Sequence, residues 1–126
     1  KEFSRIKCSD YLKYISLATY NRFLIPDLKP EIDRALYSDV DVIFTGDIKE
    51  MYEEDLDGYI IGAVWESYHE PHINIKRKIP INLSEEHKYF SAGNLLIDCK
   101  KWRENDITNK LFEIVYKYQG ITIWMF

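Results

Sequence analysis

Cysteine is scarce in this sequence, and the two cysteines that occur lie far apart. They are Cys8 and Cys99, in a chain of 126 residues. One distant pair gives neither a disulfide framework nor the close cysteine spacing of a zinc site. We therefore expect two reduced thiols, which are typical of a cytoplasmic protein.

Long apolar runs, internal repeats and an excess of positive charge are also missing. No run approaches the roughly 20 apolar residues that cross a bilayer, and no signal peptide is visible. The sequence therefore predicts a soluble cytoplasmic protein, and it leaves peripheral association with the inner face of a membrane open. A net charge of -4 gives no support for nucleic-acid binding, which depends on basic surfaces. No repeat or linker divides the chain, so we expect a single domain over residues 1–126.

Apolar and aromatic residues, in contrast, are plentiful. Apolar residues make up 46% of the chain, and tyrosine alone occurs 10 times, so the chain is able to bury a core. Hydrophobic patterns and caps predict a helix over 11–25, a segment over 32–38 that leads into a strand carrying the two carboxylates, a helix over 48–54 and a strand over 59–65. They further predict a strand over 95–97, a helical turn over 100–105, a helix over 107–118 and an apolar tail over 121–126. Strands and helices alternate in this series, which favours the α/β class.

Two carboxylates interrupt a short apolar run at residues 35–46. The flanking residues favour a buried strand, and aspartate is poor in strand interiors, so Asp39 and Asp41 mark a strand end or a bulge. On an extended backbone, residues i and i+2 point to the same side. The two carboxylates would then share one Mg²⁺ or Mn²⁺ ion, because these ions prefer oxygen ligands. The alternative interpretation is a solvated turn, and Asp47 is expected to be a helix N-cap.

The first predicted helix ends with Arg22 in its last turn and Pro26 at its stop. A cation near a helix C-terminus is favoured by the helix dipole, so Arg22 has a local structural interpretation beside a ligand-binding one. In the helix over 48–54, we expect Met51 and Tyr52 to face inward.

Residues 66–88 are predicted to form a long polar loop, of the kind that often covers a substrate. The loop contains His69 and His72 in an H-X-X-H spacing, which on a helix places both rings on one face. Pro71 argues against a regular helix there. We interpret these two histidines and His87 as solvated loop residues rather than as metal ligands.

Three small residues, Ser91, Ala92 and Gly93, precede the strand over 95–97. Small side chains permit the close approach of another backbone or of a ligand, and they also permit a simple bend. In open α/β sheets, ligands bind beyond the carboxyl ends of the strands, which is where the two aspartates are expected to lie.

Three segments together resemble glycosyltransferase family 8, which includes bacterial lipopolysaccharide galactosyl- and glucosyltransferases and the glycogenins. Residues 15–26 are similar to the helix that precedes the metal strand in this family. Residues 36–41 are similar to its D-X-D segment. Residues 89–103 are similar to its small-residue segment, the following strand and a K-K-W sequence.

The resemblance implies a GT-A fold, which is a Rossmann-like α/β/α sandwich. It implies the retaining transfer of a glucose or galactose from a UDP-sugar to a hydroxyl of a glycan or lipid-linked acceptor, with Mn²⁺ or Mg²⁺ as cofactor, in the synthesis of lipopolysaccharide or a cell-surface glycan. By the family's pattern, Asp39 and Asp41 hold the metal, Asp39 and Arg22 contact the donor, and the Ser91-Ala92-Gly93 turn lines the sugar pocket. The resemblance points to no catalytic nucleophile in this sequence.

The sequence departs from the family's pattern in two respects. Ser91 stands where the family often has asparagine, and its hydroxyl reaches less far into a donor pocket. The family's uridine-binding first strand, its D-Q-D segment and its C-terminal metal-binding histidine find no match. We therefore expect a central fragment of a GT-A domain, incomplete at both ends, whose unpaired sheet edge favours self-association.

Two other functions compete with a transferase. One is a non-catalytic fragment or pseudoenzyme that binds a nucleotide sugar or a protein partner, which an incomplete metal site favours. The other is a phosphatase of the haloacid dehalogenase type, in which Asp39 would be the nucleophile and Asp41 the acid/base, with Mg²⁺. The residue two places after Asp41 is Ile43 rather than the threonine or valine usual in those enzymes, so we rank this function last.

Overall fold

The structure is a computed structural model that describes residues 17–65 and 90–117. In chain order, its elements are a 3-10 helix (Leu17–Leu24), α1 (Ile25–Leu28), β1 (Arg34–Ser38), α2 (Ile48–Glu53), β2 (Ile61–Trp65), β3 (Phe90–Asp98), α3 (Cys99–Glu104) and α4 (Ile107–Lys117). The first part of the predicted first helix, the predicted loop over 66–88 with its three histidines, and the apolar tail over 121–126 lie outside the described residues.

The three described strands form one antiparallel sheet in the order β1-β3-β2. Against β1, β3 pairs in continuous register from Ser38 with Asn94 to Arg34 with Asp98. Against β2 the register breaks, because Ala63 pairs with Leu95 and the next residue, Val64, pairs with Ser91. Residues 92–94 of β3 therefore have no partner in β2 and form a bulge, which we call the 92–94 bulge. A bulge bends its strand and redirects its side chains.

Helices and loops cover both faces of this sheet. On one face, Leu95 and Ile97 of β3 pack with Trp102 of α3. On the other face, Leu56 of the segment after α2 lies against Gly62, where a Cβ atom would come within 2.8 Å of the leucine Cδ2. The layers are therefore those of an α/β sandwich, as the alternating pattern predicts.

A second cluster of buried side chains joins the 3-10 helix to α4. It contains Tyr20, Phe23, Phe112 and Val115, and the Phe23 ring meets the Phe112 ring edge-on at 5.7 Å between centroids. Edge-to-face pairs of this kind add about 0.5–1.5 kcal/mol to the burial of the rings. The cluster fixes the position of the 3-10 helix, which carries Arg22.

Polar side chains reinforce this attachment. The Trp102 Nε1–H donates to Thr108 Oγ1 at 2.9 Å, and the threonine hydroxyl donates to the Phe23 carbonyl at 3.0 Å. Arg103 Nη1 donates to the carbonyls of Pro26 and Ile32 at 2.9 and 3.1 Å. Helices α3 and α4 are thus bonded directly to the segment that leads into β1.

Some predicted boundaries are wrong, and the first concerns Pro26. This residue lies in the first turn of α1 rather than after a helix, because the missing N–H of a proline has no hydrogen-bond partner to lose there. The preceding eight residues form a 3-10 helix rather than the predicted α-helix.

Other differences concern exposure. Residues 42–44 do not continue β1, and Ile43 and Phe44 are exposed. Val64 and Trp65 at the end of β2 are also exposed, and Tyr52 of α2 faces outward instead of inward. The predicted N-cap of α2, in contrast, is confirmed. The Asp47 carboxylate accepts the Lys49 backbone N–H at 2.9 Å.

Among the described residues, no helix combines the length and the apolar character that a bilayer-spanning segment needs.

Candidate functional site

Asp39 directly follows β1 and begins a turn. Its backbone N–H donates to the Gly93 carbonyl in the 92–94 bulge at 2.8 Å, and its own carbonyl accepts the Val42 N–H at 3.2 Å. The chain therefore turns over residues 39–42 instead of continuing as a strand. The prediction that the two aspartates mark a strand end is confirmed. The extended backbone assumed for Asp41 is not present, since this residue lies within the turn.

One oxygen of the Asp39 carboxylate is bonded to two other side chains. Oδ1 accepts a short hydrogen bond from the Tyr37 hydroxyl and lies 3.5 Å from Arg22 Nη2. The Asp39 side chain is 34% exposed, whereas the Arg22 side chain is 11% exposed. The carboxylate thus lies at the rim of the site, and the guanidinium lies behind it.

The guanidinium of Arg22 is held by the chain on several sides. Nε donates to the Thr19 carbonyl at 3.0 Å, and Nη1 donates to the Ala92 carbonyl at 2.7 Å. The guanidinium carbon also lies 4.9 Å from the centre of the Tyr37 ring, in a cation–π arrangement. The bond to Thr19 is the local contact expected for a cation in a last helical turn, while the other contacts join Arg22 to the site. An arginine carries five N–H donors, and one N–H on each terminal nitrogen of Arg22 has no partner among the described residues.

The small-residue segment meets Asp39 directly. A Cβ atom at Gly93 would lie 3.1 Å from Asp39 Oδ2, so the absent side chain leaves room beside that oxygen. The Gly93 N–H points to Ser91 Oγ at 3.4 Å, and Ala92 is buried. The predicted residues Arg22, Asp39, Ser91, Ala92 and Gly93 are therefore neighbours in the structure.

Asp41 is the predicted site residue that the described structure does not bond to the others. Its side chain is exposed, and it makes no hydrogen bond or ion pair with any residue in 17–65 or 90–117. An exposed carboxylate in a turn stays available to an ion from solvent. That state also fits the alternative interpretation, a solvated Asp-X-Asp turn.

Tyr37 is the site residue that the sequence analysis missed, because it was interpreted as an apolar strand residue. Burial of its ring, followed by its hydrogen bond to Asp39, raises the pKa of Tyr37 above the usual value of 10.0, against the opposing charge of Arg22. The signal was present in the spacing, since Tyr37 stands two positions before Asp39 at the end of an apolar strand, where side chains two positions apart lie on one side.

The described residues fit a divalent cation as a partial set of ligands. Asp39 Oδ2 has no hydrogen-bond partner among the described residues and lies beside the space that a Cβ at Gly93 would fill. Within residues 17–65 and 90–117, no group of three or more histidine, cysteine, aspartate or glutamate side chains comes together as a metal site. Mg²⁺ is usually bound by one or two carboxylates together with phosphate oxygens and waters. A site of this kind does not require a third carboxylate from the described residues.

Comparisons with known proteins identify a family of similar sequences. The model of the family described as "Glycosyl transferase family 8" matches residues 1–126. A putative glycosyltransferase of Haemophilus influenzae is 34% identical over 113 residues, which cover 87% of this chain and 33% of that protein. Glycosyltransferase GlyB of Streptococcus pneumoniae is 35% identical over 108 residues, which cover 85% of this chain and 23% of that protein. The chain thus spans a third or less of the length of these two relatives.

Solved structures show the same similarity. The crystal structure of galactosyltransferase LgtC in complex with donor and acceptor sugar analogs matches with a TM-score of 0.69 and 27% identity, over 97% of this chain and 45% of that one. Glycosyltransferase GlyE of Streptococcus pneumoniae matches with a TM-score of 0.57 and 29% identity, over 84% of this chain and 24% of that one. The predicted GT-A fold is confirmed by these neighbours. The matches give no support to a phosphatase of the haloacid dehalogenase type.

Proposed function

The chain belongs to glycosyltransferase family 8, and from this membership we propose that it transfers a hexose, glucose or galactose, from a UDP-sugar to an acceptor hydroxyl with retention of configuration. The observation that carries the proposal is the Asp39 carboxylate, whose Oδ2 and the neighbouring Arg22 guanidinium both keep hydrogen-bonding capacity that no described residue uses. A negative and a positive side chain placed together suit a diphosphate that binds with a divalent cation. The named activity of the LgtC relative, a galactosyltransferase, supports the choice of a hexose.

We assign the site residues as follows. Asp39 and Asp41 hold Mn²⁺ or Mg²⁺, and the free N–H groups of Arg22 bind a phosphate oxygen of the donor. The cation, when bound, acts as a Lewis acid that stabilises the charge developing on the departing diphosphate. The Ser91-Ala92-Gly93 segment lines the space for the sugar, since it reaches Asp39 without a side chain in the way.

Further proposals concern the whole protein. The 126 residues are the central part of a GT-A domain, and the acceptor is a glycan or a lipid-linked sugar in lipopolysaccharide or cell-surface glycan synthesis. A lipid-linked acceptor would place the protein at the inner face of a membrane as a peripheral protein. The outer edges of β1 and β2 pair with no described strand, which supports self-association through a sheet edge.

The test is thermal unfolding of the chain with Mn²⁺, with UDP and with both together. A ligand present at a hundred times its dissociation constant stabilises the folded state by about 2.7 kcal/mol, which is several degrees in Tm for a domain of this size. We expect a shift that needs both ligands and disappears in the Asp39→Ala, Asp41→Ala double variant. Absence of any shift in the unsubstituted chain would contradict the proposal for this chain.

A non-catalytic nucleotide-sugar-binding protein is the second candidate. The two carboxylates without a third described ligand favour it. This candidate gives the same thermal shift, so the two functions are separated by release of UDP from UDP-glucose or UDP-galactose. Turnover that is lost with Asp39→Ala supports the transferase, whereas binding without turnover supports the second candidate.

A further inference from the structure

The two oxygens of the Asp39 carboxylate have different surroundings. Oδ1 accepts the hydrogen bond from the Tyr37 hydroxyl and faces Arg22 Nη2. Oδ2 has no bonded partner among the described residues and lies beside the vacant Cβ position of Gly93. Rotation of the carboxylate would exchange these two environments, and the contacts on Oδ1 oppose that rotation.

We infer that Tyr37 is a positioning residue for the metal site, whose hydroxyl binds Oδ1 of Asp39 and so leaves Oδ2 as the oxygen that meets the cation. The inference rests on the proposed function, because it assumes that a divalent cation binds at Asp39. It adds a residue that does not itself touch the metal or the donor. Hydrogen-bond partners of metal ligands orient those ligands and make them better donors.

The position of the Tyr37 hydroxyl is fixed by the fold. Tyr37 lies in β1 and pairs with Leu95 of the central strand, and its ring packs against the buried cluster that contains Ile97 and Trp102. The guanidinium of Arg22 covers the ring at 4.9 Å. The ring of Tyr37 is therefore fixed by contacts on several sides. Its hydroxyl donates to the carboxylate of Asp39, two positions further along the chain.

Arg22 alone does not replace this contact. Its Nη2 is 3.5 Å from Oδ1, which is an ion pair longer than the 2.7–2.9 Å of a charge-assisted N–H···O bond. The guanidinium is also bonded to the carbonyls of Thr19 and Ala92, so it is not free to move closer to Oδ1 of Asp39. Without the phenol, we expect the carboxylate to rotate. Binding of the cation would then have to order it, and the lost conformational entropy would weaken the affinity.

The experiment is a titration of Mn²⁺, in the presence of UDP, into the unsubstituted chain and the Tyr37→Phe variant. Free Mn²⁺ is measured by its electron paramagnetic resonance signal, which gives both the dissociation constant and the number of sites. Loss of a partner that orients a metal ligand typically costs 10–100-fold in affinity. We expect about a tenfold rise in the dissociation constant, the lower end of that range, because Arg22 still faces Oδ1.

Tyr52→Phe is the matched control. Its hydroxyl also donates to an oxygen of the chain, the Arg34 carbonyl at 3.4 Å, in an exposed position. We expect the same Mn²⁺ affinity as in the unsubstituted chain. A merely structural role of Tyr37 would lower the number of binding sites with the folded fraction, but it would leave the dissociation constant of the folded molecules unchanged.

The outcomes separate the inference from the proposed function. If the unsubstituted chain binds no Mn²⁺ with UDP, the proposed function fails, and the inference fails with it. If that chain binds Mn²⁺ and the folded Tyr37→Phe variant binds it equally well, the positioning role is wrong and the proposed function stands. If Tyr37→Phe is partly unfolded, the number of binding sites gives its folded fraction, and the dissociation constant of the folded molecules still tests the inference.

Discussion

Arg22 donates a 2.7 Å hydrogen bond from Nη1 to the carbonyl of Ala92, which lies 70 residues further along the chain. The bond joins the 3-10 helix to the 92–94 bulge of the central strand. The same bulge accepts the backbone N–H of Asp39 through the Gly93 carbonyl. One short stretch of β3 therefore sets the positions of both the guanidinium and the carboxylate.

The first prediction concerns Arg22→Lys. An ammonium group lacks the planar fork that bonds Thr19, Ala92 and Asp39 at once. A hydrogen bond to a charged group contributes roughly 1.5–3 kcal/mol, so we expect the free energy of unfolding to fall by about 2 kcal/mol. Urea unfolding without ligands measures this change, and a Mn²⁺ titration with UDP should show weaker binding in the same variant.

Arg34→Lys provides the control for that substitution. Arg34 also donates to two carbonyls, those of Tyr52 and Glu54, but in an exposed position away from the site. Exposed substitutions of this kind usually change stability by no more than about 0.5 kcal/mol. An equal loss in both variants would mean that the contacts of Arg22 with the bulge and with Asp39 contribute nothing beyond a surface arginine.

The second prediction concerns Gly93→Ala. The added Cβ would lie 3.1 Å from Asp39 Oδ2, and this atom is the proposed metal ligand. We expect Mn²⁺ affinity in the presence of UDP to fall tenfold or more, in line with the roughly 10–100-fold cost of disturbing the surroundings of a metal ligand. The free energy of unfolding should change by less than about 1 kcal/mol, because alanine also restricts the unfolded chain.

Gly46→Ala is the matched control for Gly93→Ala, since a Cβ at Gly46 would meet nothing within 4 Å. It follows the same Asp-X-Asp segment and changes the same atoms. We expect unchanged Mn²⁺ affinity. Unchanged affinity in Gly93→Ala as well would show that Oδ2 is not the oxygen that binds the ion.

The site illustrates what sequence spacing is able to predict. The rule that residues i and i+2 share a side of a strand was applied to Asp39 and Asp41. The strand ends at Ser38, so the rule does not reach Asp41, and it is the hydroxyl of Tyr37 that contacts Asp39. The end of the strand depends on the Gly93 carbonyl, which accepts the Asp39 N–H from a distant part of the chain. Local patterns do not contain that information.

Other parts of the fold were predictable because their causes are local. The α2 cap by Asp47 depends on a hydrogen bond between residues two apart, and the apolar face of α4, with Phe112 and Val115 buried, follows from helical spacing. The position of Arg22 depends on both a local contact and a long-range contact. Its contact with Thr19 is local and was expected, whereas its contact with Ala92 depends on how the 3-10 helix packs on β3.

The third prediction concerns pH and Tyr37. Burial and the Asp39 hydrogen bond raise the pKa of Tyr37 in the folded state above 10.0. Its contribution to stability is therefore fully present below the pKa of the unfolded chain and is lost as the pH rises through the higher pKa of the folded state. At pH 8 we expect Tyr37→Phe to be less stable than the unsubstituted chain by about 1 kcal/mol, the usual value of one hydrogen bond. The difference should shrink as the pH is raised past 10.

Urea unfolding at pH values from 8 to about 11 measures that difference, because both chains share all other tyrosines. Tyr52→Phe again serves as the control, since its hydroxyl is exposed. A difference between Tyr37→Phe and the unsubstituted chain that stays constant with pH would mean that the phenol does not hold its proton more tightly in the folded state.

The fourth prediction concerns Thr108, which is buried between two partners. Its hydroxyl accepts the Trp102 Nε1–H and donates to the Phe23 carbonyl. Thr108→Val has nearly the same shape but removes both hydrogen bonds, and it takes away the oxygen that accepts the buried Trp102 Nε1–H. An unsatisfied buried group costs about 1–3 kcal/mol, so we expect urea unfolding to report a loss of about 2 kcal/mol or more.

Thr108→Ser separates the hydroxyl from the shape of the side chain, because serine keeps the two hydrogen bonds and loses a methyl group. We expect it to be less destabilising than Thr108→Val. Since the Phe23 carbonyl belongs to the 3-10 helix that carries Arg22, Thr108→Val should also weaken Mn²⁺ binding in the presence of UDP, whereas Thr108→Ser should not. Equal binding in both folded variants would show that these two hydrogen bonds hold the helix without affecting the site.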